Sequence, residues 1–259
     1  MKISSKELKR HAKQNLKGKY GLCIGIQLIE SVIFLPVYLV CFFVSFFMGM
    51  VNDSFSGGIL AFWAVLCISF LVIFLIYGLL RPGIFKFYLN MSTGEKPKLS
   101  DLLFGFQNRP HHFLGLYLIN ILIVMVWAIP FFVVLVVAFI TDFIPVMVVL
   151  LILTLLFLVL GEIITMLYLS QSMFILIESP ERGVWKSLME SANMMKGNKG
   201  GLVYLYLSFF GIVLLGYCSY GIGYLWIYPY IYATMAEYYL SVRNQQASFE
   251  PVWTEENYL

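Results

Sequence analysis

The chain has 259 residues, of which 61% are hydrophobic, 17% aromatic and only 12% charged, and its mean hydropathy is +0.86. Soluble domains run near about 45–50% apolar and about 25% charged, so lipid rather than water is the expected solvent. The net charge of +3 is modest, and its uneven distribution suits an anionic lipid surface. No helix-turn-helix pattern or aromatic-interleaved basic groove accompanies it, so no nucleic-acid partner is expected.

Residues 1–19 read as a basic helix on the cytoplasmic side. Lys2, Lys6, Lys9, Arg10, Lys13, Lys17 and Lys19 precede the first apolar run, Leu8, Ala12 and Leu16 line one side, and Ser4 with Glu7 has capping-box spacing. The first apolar run spans about 20–51. At about 30 residues it far exceeds the roughly 7–15 of a signal-peptide core, so it is expected to stay in the mature protein as a helix. After the polar turn Asn52–Gly58, a second run covers about 59–90. The next connection carries Lys96, Lys98 and Arg109 and includes a short interfacial helix near 100–108, ending at Asn108-Arg109-Pro110.

Runs three and four, about 113–140 and 144–177, are joined by little more than Thr141-Asp142-Phe143. The stretch behind them holds Arg182, Lys186, Lys196 and Lys199. There Ser179-Pro180-Glu181 resembles a helix start, with Ser as N-cap and Pro in the first turn. In the helix expected over 180–196, Val184, Trp185, Leu188, Met189, Ala192 and Met195 share an apolar face, which predicts an amphipathic helix at the membrane surface. Runs five and six, about 201–217 and 222–242, meet at Cys218-Ser219-Tyr220-Gly221, and the polar segment 243–259 reads as a flexible cytoplasmic tail.

The first two runs are each long enough for a helix to cross the hydrocarbon, which takes about 20 apolar residues, and none of the six alternates as a barrel strand does. Basic residues occupy every second connection, while the opposite loops expose only Asp53 and Asp142. The expected fold is therefore all-α: a polytopic bundle of six transmembrane helices in three hairpins, with amphipathic helices and both termini at the cytoplasmic face. Leu16-Lys17-Gly18-Lys19-Tyr20-Gly21 resembles Met195-Lys196-Gly197-Asn198-Lys199-Gly200. Two origins fit this likeness: an internal repeat, or a common basic lead-in for any hairpin inserted from the cytoplasm.

Four ionisable residues fall inside apolar runs, where an uncompensated charge costs about 2.5–3.5 kcal/mol even on the lenient insertion scale: Glu30, Arg81, Glu162 and Glu237. At about 1.5 Å per residue, Glu30 lies roughly 15 Å inside the boundary and Glu162 near mid-membrane, whereas Arg81 and Glu237 can snorkel. Glu30 and Glu162, with Arg81 as a pairing partner across a kink at Pro82, are expected either to line a polar site for a cation, proton or headgroup or to hold the bundle together. Pro36, Pro130 and Pro229 mark further kinks, Gly21 and Gly25 have GxxxG spacing for close helix approach, and the tyrosines at the two ends of the last hairpin read as interface anchors, a tyrosine-lined pocket being the alternative.

No enzyme signature is present. His11, His111 and His112 lie at the cytoplasmic edge, HExxH and Gly-x-Ser-x-Gly are absent, and Gly221-Ile222-Gly223 lacks a dinucleotide context. Cys23, Cys41, Cys67 and Cys218 have neither zinc nor disulfide spacing. The expectation is a protein without catalytic residues, metal or cofactor.

The stretch Ser191–Val242 resembles the bacterial integral-membrane family catalogued as domain of unknown function 975. The residues carrying the likeness are Ser191, Met195-Lys196-Gly197-Asn198-Lys199, Leu207-Ser208-Phe209-Phe210-Gly211, Gly221-Ile222-Gly223, Leu225-Trp226, Pro229-Tyr230 and Glu237-Tyr238-Tyr239-Leu240, joined by Leu16-Lys17-Gly18 near the start. The resemblance implies a multi-pass bacterial membrane protein and assigns no chemistry. A fainter likeness, confined to the Pro-to-Lys-Gly helix, is to the membrane domain attached to some glycerophosphodiester phosphodiesterases, whose hydrolytic domain has no counterpart here.

The functional expectation is a bacterial inner-membrane protein that binds or organises other components through its basic cytoplasmic rim. Anionic headgroups would meet Lys6, Lys9, Arg10, Lys13, Lys17, Lys19, Lys196 and Lys199, and a membrane-protein partner or a second copy of the chain is the other class of partner. The competing expectation is a small transporter or channel with Glu30 and Glu162 in its path.

Overall fold

The computed structural model describes residues 4–50 and 56–247. Most of the expected Asn52–Gly58 turn, Lys2, and the tail beyond residue 247 lie outside the described residues. Among those described there is no strand. In chain order the helices are α1 (Ser5–Leu16), α2 (Tyr20–Met50), α3 (Ser56–Ser92), a 3₁₀ turn (Leu99–Leu103) leading into α4 (Phe104–Gln107), α5 (Pro110–Ile140), α6 (Pro145–Leu169) and α7 (Ser172–Glu178). A second 3₁₀ turn (Pro180–Arg182) precedes α8 (Val184–Met194), α9 (Lys199–Leu207), α10 (Phe210–Cys218) and α11 (Tyr224–Ala247).

Among the described residues, five stretches are long and apolar enough to cross a membrane: Tyr20–Val44, Ala64–Ser92, Pro110–Ile140, Pro145–Glu178 and Lys199–Cys218. Two of them contain a break in helical bonding, at Ser170-Gln171 and at Ser208-Phe209. Serines mark both breaks. Ser170 and Ser208 donate to the carbonyls of Leu167 and Leu205, three residues back, where a side-chain hydroxyl competes with the helical ladder. The sixth apolar run does form a helix, α11, which continues through Arg243 to Ala247 and so takes in the first residues of the expected tail. Pro36, Pro82, Pro130 and Pro229 all lie within helices, as their spacing predicts.

The described residues divide into two compact units: the first holds Lys6–Pro110 with Phe209–Glu237, the second residues 4–5, His111–Ser208 and residues 238–247. In the first unit, burial is concentrated on Leu8, Ala12 and Leu16 of α1, Cys23 and Ile26 of α2, and Ile84 to Met91 of α3. Here α3 and the 3₁₀–α4 segment touch backbone to backbone. A Cβ on Gly83 would lie 2.3 Å from the carbonyl oxygen of Leu102, and one on Gly105 would lie 2.2 Å from that of Leu79. The GxxxG pair does not serve this purpose, since a Cβ on Gly21 or Gly25 would meet nothing within 4 Å.

In the second unit the buried side chains include those at the start of α5 (Phe113, Leu116), in α7 (Phe174 to Ile177), α8, Met195, α9 (Leu202, Leu205) and α11 (Tyr238, Tyr239, Val242). The middles of α5 and α6 are largely uncovered: only 6% of the most apolar window in each span is buried. A polar clasp joins these two helices, beside an edge-to-face contact of Trp127 with Phe157. Trp127 Nε1–H donates to Thr165 Oγ1 at 3.0 Å, and the indole occupies the space above Gly161, where a Cβ would lie 2.2 Å from Cδ2.

One expectation about the start of α8 needs correction. Ser179 makes no capping bond; it precedes the 3₁₀ turn, and α8 begins at Val184 after Gly183. The buried stripe of α8 runs through Ser187, Leu188, Ser191 and Met194, while Trp185 and Met189 are exposed. Serines fit inside because their hydroxyls are satisfied: Ser191 donates to the Tyr168 carbonyl at 2.7 Å and accepts from the Gln171 N–H at 3.2 Å, and Ser187 donates to the Gly183 carbonyl at 3.0 Å.

The likeness between the two Lys-Gly segments extends to their geometry. Gly18 has φ +79° and Gly197 +81°, left-handed values that glycine adopts without the penalty of a Cβ. Around them the same bonds recur: Lys17 N–H to Gln14 O and Lys19 N–H to Leu16 O in one, Lys196 N–H to Asn193 O and Asn198 N–H to Met195 O in the other. Arg109, between α4 and α5, also has positive φ, +49°. Each short lead-in thus ends on a left-handed residue before an apolar span begins.

Candidate functional site

The first unit presents two polar features. One is α1, fixed by its buried face. Lys6, Arg10 and Lys13 are exposed on another side of the helix, and Lys17 extends the row just past its end. Positions 6, 10, 13 and 17 follow the i, i+4, i+7, i+11 spacing of a single helical face. Lys9 and Lys19 are half-buried. Lys9 Nζ sits 4.2 Å from the centre of the Phe209 ring and Lys13 Nζ 5.4 Å from that of Tyr230, so both cations also face aromatic π-clouds. Burial, then the charge of Lys13, holds the Lys9 ammonium below the ordinary lysine range. Glu237 ties α1 to α11: it accepts from Asn15 Nδ2 at 2.7 Å, and His11 Nδ1 lies 3.9 Å from its other oxygen.

The second feature is Arg81. Its Nη1–H donates to Tyr232 Oη at 2.7 Å, and the guanidinium carbon lies 4.4 Å from the centre of the Tyr77 ring. Tyr232 in turn stacks on Tyr88 at 5.4 Å. The ion pair expected between Glu30 and Arg81 is not formed; the guanidinium is held by the tyrosines instead. Arg81 Nε, Tyr88 Oη and both amide atoms of Gln27 are buried without a hydrogen-bond partner.

In the second unit, Glu162 is half-buried on α6, and its Oε1 is buried without a partner. Lys196 donates to Asn193 Oδ1 at 2.7 Å, and Lys199 Nζ lies 3.4 Å from the centre of the Tyr168 ring. His112 Nδ1–H donates to the Pro180 carbonyl at 2.6 Å, which gives it a structural partner. Among the described residues no group of three or more His, Cys, Asp and Glu is placed to hold a metal.

A charged cluster absent from the sequence expectations lies where α7, α8 and α11 meet. Arg182 Nη1 donates to both Glu190 oxygens, at 2.7 and 2.6 Å, and this pairing holds the guanidinium above its ordinary value. Glu178 accepts from Tyr239 Oη at 2.7 Å and from Arg243 Nη1. Phe174 stacks on Tyr239 at 5.0 Å, and Tyr238 Oη donates to the Asn198 carbonyl at 2.7 Å. Glu178 and Arg243 stood at the ends of separate apolar runs, 65 residues apart, and only the packing of α11 on α7 joins them.

No curated protein and no solved structure matches the chain. A family model described as a protein of unknown function (DUF975) matches residues 1–246, nearly the whole sequence, and the chain belongs to that family.

Proposed function

We propose that this chain is a non-enzymatic multi-pass protein of the bacterial inner membrane that gathers anionic lipid headgroups at its cytoplasmic face. In this reading α11 is the sixth span, the six form three hairpins, and α1, the 3₁₀–α4 segment and α8 lie at the inner leaflet. The observation that carries it is the construction of α1. Its apolar side is covered by protein, so Lys6, Arg10, Lys13 and Lys17 stand as a fixed cationic row. Cations near an anionic leaflet contribute about 1 kcal/mol each and are screened by salt.

The test is lipid selectivity of the reconstituted protein, read from the immobilised fraction of spin-labelled phosphatidylglycerol against phosphatidylcholine. The wild type enriches the anionic lipid, and replacing Lys6, Arg10, Lys13 and Lys17 together by Gln abolishes the enrichment. An unchanged ratio in that variant would overturn the reading. A membrane-protein partner or a second copy would be recruited on the same face.

A second reading, a small transporter or channel, is favoured by the unpartnered Glu162 oxygen and by the tyrosine-held Arg81 near Glu30. It requires that Glu30→Gln and Glu162→Gln lower ion flux in proteoliposomes while leaving the fold intact.

A further inference from the structure

The charged cluster of the second unit encloses a partly open cavity of about 200 Å³, lined among others by Glu178, Arg182, Glu190, Tyr239, Arg243 and Gln246. Two guanidiniums and two carboxylates make its charge balance zero. Each group retains unused capacity. A guanidinium carries five N–H donors, and Arg182 and Arg243 each commit only Nη1 here. Both Glu190 oxygens accept from one nitrogen, which leaves lone pairs on each. These four side chains are 28–46% exposed, so the free edges are within reach of a ligand.

The balance of charge selects the ligand class. A simple anion would be drawn by the arginines but opposed by both glutamates, and a simple cation would meet the reverse. A molecule carrying both signs close together finds a partner for each. The volume is below the roughly 300–1,000 Å³ of pockets for drug-sized ligands, so it suits a headgroup rather than a whole lipid. Arginine forks match phosphate oxygens, and a carboxylate takes N–H donors.

We infer that this cavity binds a phosphate joined to a primary ammonium, the phosphoethanolamine group, with its phosphate on Arg182 and Arg243 and its ammonium on Glu190. The group can come from phosphatidylethanolamine or from a soluble phosphodiester bearing it. The inference extends the lipid-gathering reading to a defined headgroup, through residues that the cationic row of α1 does not include.

The test uses the full chain in nanodiscs containing dioleoyl phosphatidylethanolamine and dioleoyl phosphatidylcholine in equal amounts, with retained lipid counted by native mass spectrometry. Choline has no N–H to donate, so the ethanolamine lipid should be retained about tenfold more, the factor expected of one charge-assisted bond. Glu190→Gln and Arg182→Gln, at a half-buried and an exposed position, should bring that ratio close to one while far-UV circular dichroism and elution volume stay unchanged.

Charge reversal, Arg182→Glu with Glu190→Arg, restores an ion pair and hence any purely structural strut, but it should not restore the preference. Soluble glycerophosphoethanolamine assigns the source: it raises the unfolding temperature of wild type and not of Glu190→Gln if the free solute is bound, and leaves both unchanged if the lipid is. Equal retention of the two lipids by wild type, or a preference that survives both single variants, would overturn the site. The quadruple Gln variant of α1 should keep the ethanolamine preference, so loss of anionic enrichment and loss of this site are read separately.

Discussion

Gly161 shows how a single missing side chain can set a helix contact. The Trp127 ring takes the space its Cβ would need, and the Trp127–Thr165 bond holds the ring in that place. Gly161→Ala must push the indole outward and stretch that bond; overpacking of this kind costs about 1–3 kcal/mol, seen as a lower unfolding midpoint in detergent. Thr165→Val, which removes only the hydroxyl, should cost less, about 0.6 kcal/mol for an average interhelical bond in a membrane protein. Arg81 makes a parallel case: Tyr232→Phe strips the acceptor from a part-buried guanidinium and should destabilise by about 1–3 kcal/mol in the same assay.

The residue types at these places were legible, since an Arg, a Glu and a Pro-Gly step inside apolar runs stand out. Their partners were not. A tyrosine 151 residues away competes for Arg81 with the nearer-seeming carboxylate, and only three-dimensional packing decides between them.

At the level of elements, the two left-handed glycines carry the clearest regularity. Replacing Gly18 or Gly197 by Ala forces an L side chain into φ near +80° and should cost about 1–2 kcal/mol, whereas Asn, which tolerates that region, should cost less. Denaturation of the single variants and of the double variant measures both effects. The sequence announced these turns, because Lys-Gly recurs at matched distance from the apolar spans. On α8 it left the packed side unread. Periodicity set Trp185 and Met189 on an apolar face at the membrane surface, and the protein leaves both uncovered, but it gave no sign that the stripe that packs runs through Ser187 and Ser191. Hydrophobic pattern cannot foresee that serines will be buried when backbone groups of a neighbouring helix satisfy them. Ser191→Val should therefore destabilise the protein although it adds apolar surface, by leaving the Gln171 N–H without its acceptor.

For the whole molecule, composition alone indicated helices solvated by lipid, and five such spans are present among the described residues. The sixth was harder to read. α11 mixes tyrosines with Glu237, so its apolar character is diluted where it serves α1 and α7. The charge pattern further predicts which loops face which side. In a background lacking Cys23, Cys41, Cys67 and Cys218, Asp142→Cys should react with an impermeant maleimide added to intact cells, while Glu95→Cys should react only after lysis. The opposite result would reverse the orientation and remove the inner leaflet as the place where α1 acts.

The contact between Asn15 and Glu237 joins residues 222 positions apart. A ribosome has released α1 long before it has made α11, so α1 is translated early but acquires this partner only once Glu237 has been added. Until then Asn15 lacks its carboxylate, and an anchored α1 doubles as a report that α11 is in place. Chains halted before residue 224 should accordingly be clipped at α1 by added protease, at concentrations that leave chains containing α11 whole.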